Sequence, residues 1–95
     1  MKKFNLSPND SHKSFYGKAV CIEDDGGAVL VSYDTIVCGI EADGTFHKFW
    51  DGYSPTTMRH VNAFLAYYGI DGGGKKWWDA LECGIFDDYH FADVA

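Results

Sequence analysis

The chain has little basic charge. Eight Lys and Arg stand against fourteen Asp and Glu, for a net charge of −6. So acidic a surface repels phosphate, which excludes a general nucleic-acid binder and suits a basic protein partner instead. Cysteine is scarce too: Cys21, Cys38 and Cys83 are odd in number and widely spaced, against a disulfide framework or a zinc site. Cys21 and Cys38 fall inside strand-like runs, where a free thiol behaves as a small apolar group. No apolar run is long enough for a membrane helix, and no apolar h-region follows Met1-Lys2-Lys3. We therefore expect a cytoplasmic protein with no membrane partner. There is no internal repeat, and Gly72-Gly73-Gly74 is the one low-complexity run.

What the chain does have is apolar and aromatic material. Apolar residues make up 46% of its 95 residues and aromatics 17%, enough for one folded domain and too much for a disordered chain. Aromatics beyond the capacity of a small core are left at a surface, where they mark contacts.

Residues 1–12 are polar and read as a flexible, extended arm; residues 13–95 read as one α+β domain with an acidic, aromatic C-terminal segment. Tyr16 to Glu23 is rich in β-formers, Asp24 to Gly27 makes a turn, and Ala28 to Tyr33 resumes the strand pattern. Thr35 to Glu41 is a third strand, and Asp43-Gly44 turns the chain into a fourth, Thr45 to Trp50. Short loops imply an antiparallel meander. Ser54 to Tyr68 is the main helix: Met58, Val61, Leu65 and Tyr68 recur at spacings of three and four, Phe64 widens the stripe, and Gly69 ends it. Arg59, Asn62 and Ala66 fall on the solvent side. After the glycine hinge, Lys75 to Cys83 reads as a short second helix. The expected fold is thus a four-stranded antiparallel meander with one main helix across one face and a short second helix beside it.

The densest set of reactive groups is Ser54, Thr56, Thr57, Arg59 and His60 with Asp51 nearby. A hydrolase would use His60 as base, a hydroxyl as nucleophile and Asp51 to orient the ring. No G-x-S-x-G elbow is present, however, and Ser54 precedes Pro55 where its hydroxyl caps the helix. Ser54, Pro55, Arg59 and His60 are therefore read as structural, with His60 partly buried and hydrogen-bonded. An anion at this helix start is a minor alternative. His12, His47, His60 and His90 form no H-x-x-x-H or H-E-x-x-H pair, so no metal site is expected. The stretch Gly72 to Lys76 lacks the first glycine and the Ser or Thr of a phosphate loop, and reads as a linker. No catalytic residue and no cofactor are assigned.

Charge is unevenly spread. Residues 1–18 hold four Lys and one Asp, while residues 79–95 hold five acidic groups and no Lys or Arg. Trp77 and Trp78 are adjacent, about 100° apart on a helix, so one can enter the core while the other covers an edge. With Asp79, Glu82, Asp87, Asp88, Tyr89 and Asp93 they make the expected partner-binding set. Acids interleaved with aromatics can imitate a phosphate backbone and occupy a basic groove. A solvated acidic face that serves solubility is the alternative reading.

Three segments carry a resemblance: Ser14-Phe15-Tyr16-Gly17-Lys18-Ala19, Ser32-Tyr33-Asp34-Thr35-Ile36-Val37, and Tyr53 to Val61 with Phe64-Leu65. Over about residues 14–80 the chain resembles small proteins of phages and mobile elements from Gram-positive and gut bacteria. They share the order S-F-Y-G-K-A, S-Y-x-T-x-V and [YW]-S-x-T-T-x-R-H; here Pro55 takes the place of a small residue. The tail after Leu81 lies outside the shared pattern. The resemblance implies no established activity. Its genetic setting suggests a non-enzymatic inhibitor of host defence, with an anti-CRISPR protein that occupies the basic nucleic-acid-binding surface of a Cas nuclease as the specific expectation. The alternative is a homo-oligomeric structural or regulatory adaptor, a homodimer built on edge strands and surplus aromatics.

Overall fold

The computed structural model describes residues 2–6, 18–24 and 26–85. The elements are β1 (Lys2–Asn5), β2 (Ala19–Asp24), β3 (Gly27–Ser32), β4 (Thr35–Glu41), β5 (Phe46–Lys48), α1 (Pro55–Tyr68) and α2 (Lys75–Ala80). The strands form one antiparallel sheet in the order β1-β2-β3-β4-β5. The fold is α+β, with one main helix and a short second one.

The sheet has five strands where the sequence pattern predicts four. The extra strand, β1, comes from the segment read as an arm, and it pairs Phe4 with Cys21. Phe4 and Leu6 alternate with Lys3 and Asn5, so both turn to the side where Leu6 is buried and Phe4 packs on the core. Two lysines and an asparagine in so short a run mask that alternation.

Each turn has a local cause. Between β2 and β3, the Asp24 carboxylate accepts from the Gly26 amide at 2.8 Å. Gly27, at φ +134, passes so close to β4 that a Cβ would stand 2.0 Å from the Ile40 carbonyl oxygen. Between β4 and β5, Asp43 accepts from the amide and the hydroxyl of Thr45 at 2.9 and 2.7 Å. Tyr33, in the β3–β4 turn, sits at φ 54, the one non-glycine in the left-handed region among the described residues.

α1 starts at Ser54, whose hydroxyl accepts from the Thr57 amide at 3.0 Å, with Pro55 in the first turn. It ends at Gly69 in the left-handed conformation. Met58, Val61, Phe64 and Leu65 of α1 meet Ala19, Cys21, Leu30, Val37, Cys38 and Ile40 in one core, which also takes Trp78 of α2. Both helices therefore lie on one face of the sheet. Ala66 points to solvent, but Arg59 is half-buried. Its Nε is enclosed and finds no hydrogen-bond partner among the described residues.

The last strand and second helix are both shorter than their patterns predict, and Lys48 links the two ends. Its ammonium donates to the carbonyl oxygens of Trp78 at 2.9 Å and Leu81 at 3.4 Å. That satisfies the last turn of α2, and the chain becomes extended at Leu81. It then runs beside β5, where Cys83 bridges to Lys48.

Candidate binding surface at the second helix and last strand

Three successive glycines bring α2 into place. Gly72, Gly73 and Gly74 have φ of 146, 118 and 89, values that side chains disfavour. A Cβ on Gly72 would collide with the Trp77 ring at 2.5 Å, and one on Gly73 with Asn62 Oδ1 at 2.7 Å. The run read as a hinge is thus a close approach of backbone to α1 and α2.

The two tryptophans part company. Trp78 is 1% exposed, and its Nε1 donates to the Gly52 carbonyl at 2.8 Å. This corrects its place in the expected partner-binding set: a residue closed inside the core cannot touch a partner. Trp77 is half-buried, with its ring 5.4 Å from that of Phe46 on β5.

Asp79 and Glu82 are exposed, and Asp79 pairs with Lys75 one turn earlier at 2.6 Å. That pair raises the pKa of the exposed Lys75, chiefly through the hydrogen bond. Beside them a groove of about 370 Å³ runs between β5 and the segment after α2, lined by Phe46, His47, Ala80, Leu81 and Glu82. Ile85, the residue after the groove-lining Gly84, is 67% exposed. Trp77 and Glu82 are thus brought to one edge with Phe46 and Leu81, neighbours that sequence spacing does not single out, while Asp79 lies about 200° round the helix from Trp77, against Lys75. Asp87, Asp88, Tyr89 and Asp93 lie outside the described residues, as do His12 and His90.

The groups with catalytic potential are engaged elsewhere. Ser54 is the cap of α1 and also donates to the Thr57 hydroxyl at 2.9 Å. His60 is 1% exposed, and its Nδ1 lies 2.8 Å from the hydroxyl of Ser32 on β3. This Ser–His contact has the separation of a nucleophile and its base, but Ser32 is buried as well, so no substrate reaches the hydroxyl. Burial, helped by the nearby charges of Arg59 and Lys18, holds His60 below the ordinary histidine pKa. Ser32 opens the Ser32–Val37 motif without a site role of its own; its β3 position opposite an inward-facing helical histidine is a signal only once strand register is known. Asp51 does not serve His60 in the manner of a triad but lies 3.4 Å from the Lys48 ammonium.

The thiols Cys21 and Cys38 are buried. Burial pushes Cys21 up to about 11, against the opposing hydrogen bond from Tyr68, and pushes Cys38 well up too. Neither is a nucleophile at neutral pH. Tyr68 donates to Glu23 at 2.6 Å, and burial raises its own pKa. His47 lies 2.9 Å from Glu41. Among the described residues, no three His, Cys, Asp or Glu side chains gather where they could hold a metal ion. No helix among them is long and apolar enough to cross a membrane.

Residues 4–80 match DUF8033, a family of unknown function. No curated protein and no solved structure matches the chain.

Proposed function

We propose that this chain, which belongs to the DUF8033 family of unknown function, is a non-enzymatic binding protein that blocks a basic surface of another protein. The observation that carries this reading is the edge where exposed Glu82 lines a groove with the partly exposed Phe46 and Leu81, and where Trp77 packs on Phe46. Acidic groups steer such an edge to a basic surface, and the aromatic and apolar groups beside them add contact energy on arrival. The burial of Ser32 and His60 and the capping role of Ser54 support a non-catalytic protein.

The partner that fits is a nucleic-acid-binding host protein, and the specific reading is inhibition of a Cas effector nuclease in the cytoplasm of a bacterial host. Support for that choice comes from the net charge of −6 and from the motif resemblance to small phage and mobile-element proteins. The test is capture of the partner from bacterial lysate, identification by mass, and then competition. Binding should be lost when DNA or RNA fills the partner's groove, and Asp79→Lys with Glu82→Lys should weaken it by roughly tenfold. A captured partner that holds this protein and its nucleic acid together sinks the reading.

A further inference from the structure

Arg59 is the one arginine of the chain, and it stands without a counter-ion. Ion pairs among the described residues join His47 to Glu41, Lys48 to Asp51 and Lys75 to Asp79; none reaches Arg59, although the chain has fourteen acids to offer. Of its three nitrogens Nε alone is enclosed without a partner, and the side chain as a whole is half-buried. The stem is therefore packed while the outer end of the fork reaches solvent. A guanidinium held this way has little freedom left to lose when it meets an anion.

Two further groups gather beside it. His60, the next residue of α1, has its ring 5.7 Å from that of Tyr33, and the Tyr33 amide donates to the Lys18 carbonyl at 2.7 Å. Lys18 is exposed, and its charge and that of Arg59 both act on the His60 ring. The β3–β4 hairpin pairs Ser32 with Thr35 and leaves Tyr33 and Asp34 as its loop. Loops of two residues favour glycine at the first place. Tyrosine holds it here at φ 54 with 52% of its surface exposed. Strained backbone that keeps a large ring at the surface, close to two cations, points to a use for that ring.

We propose that Arg59 and Lys18 bind the phosphate of a nucleoside monophosphate whose base stacks on Tyr33. A carboxylate brings one negative charge, whereas a phosphate monoester brings close to two at neutral pH and so matches two cations. The guanidinium fork suits two phosphate oxygens at once, and the ammonium adds a point charge. An exposed aromatic face accepts any base by stacking. Asp34 beside Tyr33 and the net charge of −6 oppose the ligand, which makes the site weak and salt-dependent, with a Kd of roughly 1 mM. This is one local site and not general nucleic-acid binding. It shares no residue with the α2 edge and does not rest on the role proposed there.

The test is a titration of the full chain with adenosine monophosphate, and separately with inorganic phosphate, to ~20 mM at constant ionic strength, followed by amide NMR shifts. Adenosine monophosphate should move the Lys18, Tyr33 and Arg59 amides to saturation, and should bind at least roughly threefold tighter than inorganic phosphate. Arg59→Met keeps the packed stem and should weaken binding by roughly tenfold, Lys18→Met by roughly threefold. Tyr33→Gly relieves the backbone and removes only the ring, so it should fold and bring the nucleotide down to the affinity of inorganic phosphate. A guanidinium that merely lies along apolar surface predicts no saturable shift with either ligand, and that result overturns the proposal. So does binding that is indifferent to Arg59→Met, or a nucleotide that binds no tighter than inorganic phosphate.

Discussion

Lys48 has 3% of its surface exposed, and its ammonium reaches two carbonyl oxygens at the end of α2, lies 3.4 Å from Asp51, and sits 4.9 Å from the centre of the Trp78 ring. A buried ammonium is tolerated because each of these contacts favours its charge. Lys48→Met keeps the aliphatic stem but leaves the Trp78 and Leu81 carbonyls without their donor. We expect a loss of about 2–3 kcal/mol in urea unfolding. A loss under ~0.5 kcal/mol would mean that water replaces the ammonium there.

His60 makes the opposite compromise: it is buried and its pKa is depressed. The unfolded chain takes up a proton near the ordinary histidine value of 6.5, while the folded chain resists it. The unfolded state therefore binds more protons as pH falls through 6.5, and stability falls with it, levelling off below the folded pKa. Thermal melts between pH 7.5 and pH 5 should show this decline, and His60→Gln, which cannot titrate, should remove this contribution. A wild-type melting temperature independent of pH over that range would contradict the assignment.

Among the elements, α1 depends on its first turn. Ser54 satisfies the Thr57 amide, and Pro55 presents no amide to satisfy. Ser54→Ala should cost about 1 kcal/mol, a fall of roughly 4–8 °C in melting temperature for a domain of this size, with Ser54→Asp recovering most of it. An unchanged melting temperature would show that the cap is dispensable. α2 is too short to persist alone. Trp78 in the core, Lys48 at its end and the glycine run at its start hold it, which is why its length departs from the propensity of Lys75 to Cys83. β5 is likewise cut short: the Phe49 amide still donates to the Val37 carbonyl in register, but at Val37 β4 is irregular, where its register with β3 shifts between Leu30 and Val31.

For the whole molecule, charge and apolar surface are set in different places. The second helix and the residues after it set exposed Asp79 and Glu82 against exposed Lys75 and Lys76, while the sheet face opposite the helices is apolar, with Ile22 and Val29 buried in it. Because both acidic side chains are exposed, Asp79→Lys with Glu82→Lys should leave the circular dichroism spectrum unchanged while it weakens capture of the basic partner. An altered spectrum would place these side chains in the packing instead.

Composition and pattern determined a good deal. The 3.6-residue stripe from Met58 to Tyr68, the Ser54-Pro55 start and the Gly69 stop define α1, because helix periodicity and end chemistry are local. Asp-Gly turns between β-rich runs define the meander for the same reason. What only the tertiary structure decided is every pairing between distant segments: β1 beside β2, Ser32 against His60, Lys48 at the end of α2, and which tryptophan the core encloses. Those outcomes depend on strand register and on how many side chains one small core can hold. No local run of residues carries that information, because each contact joins positions that become neighbours only when the chain has closed on itself.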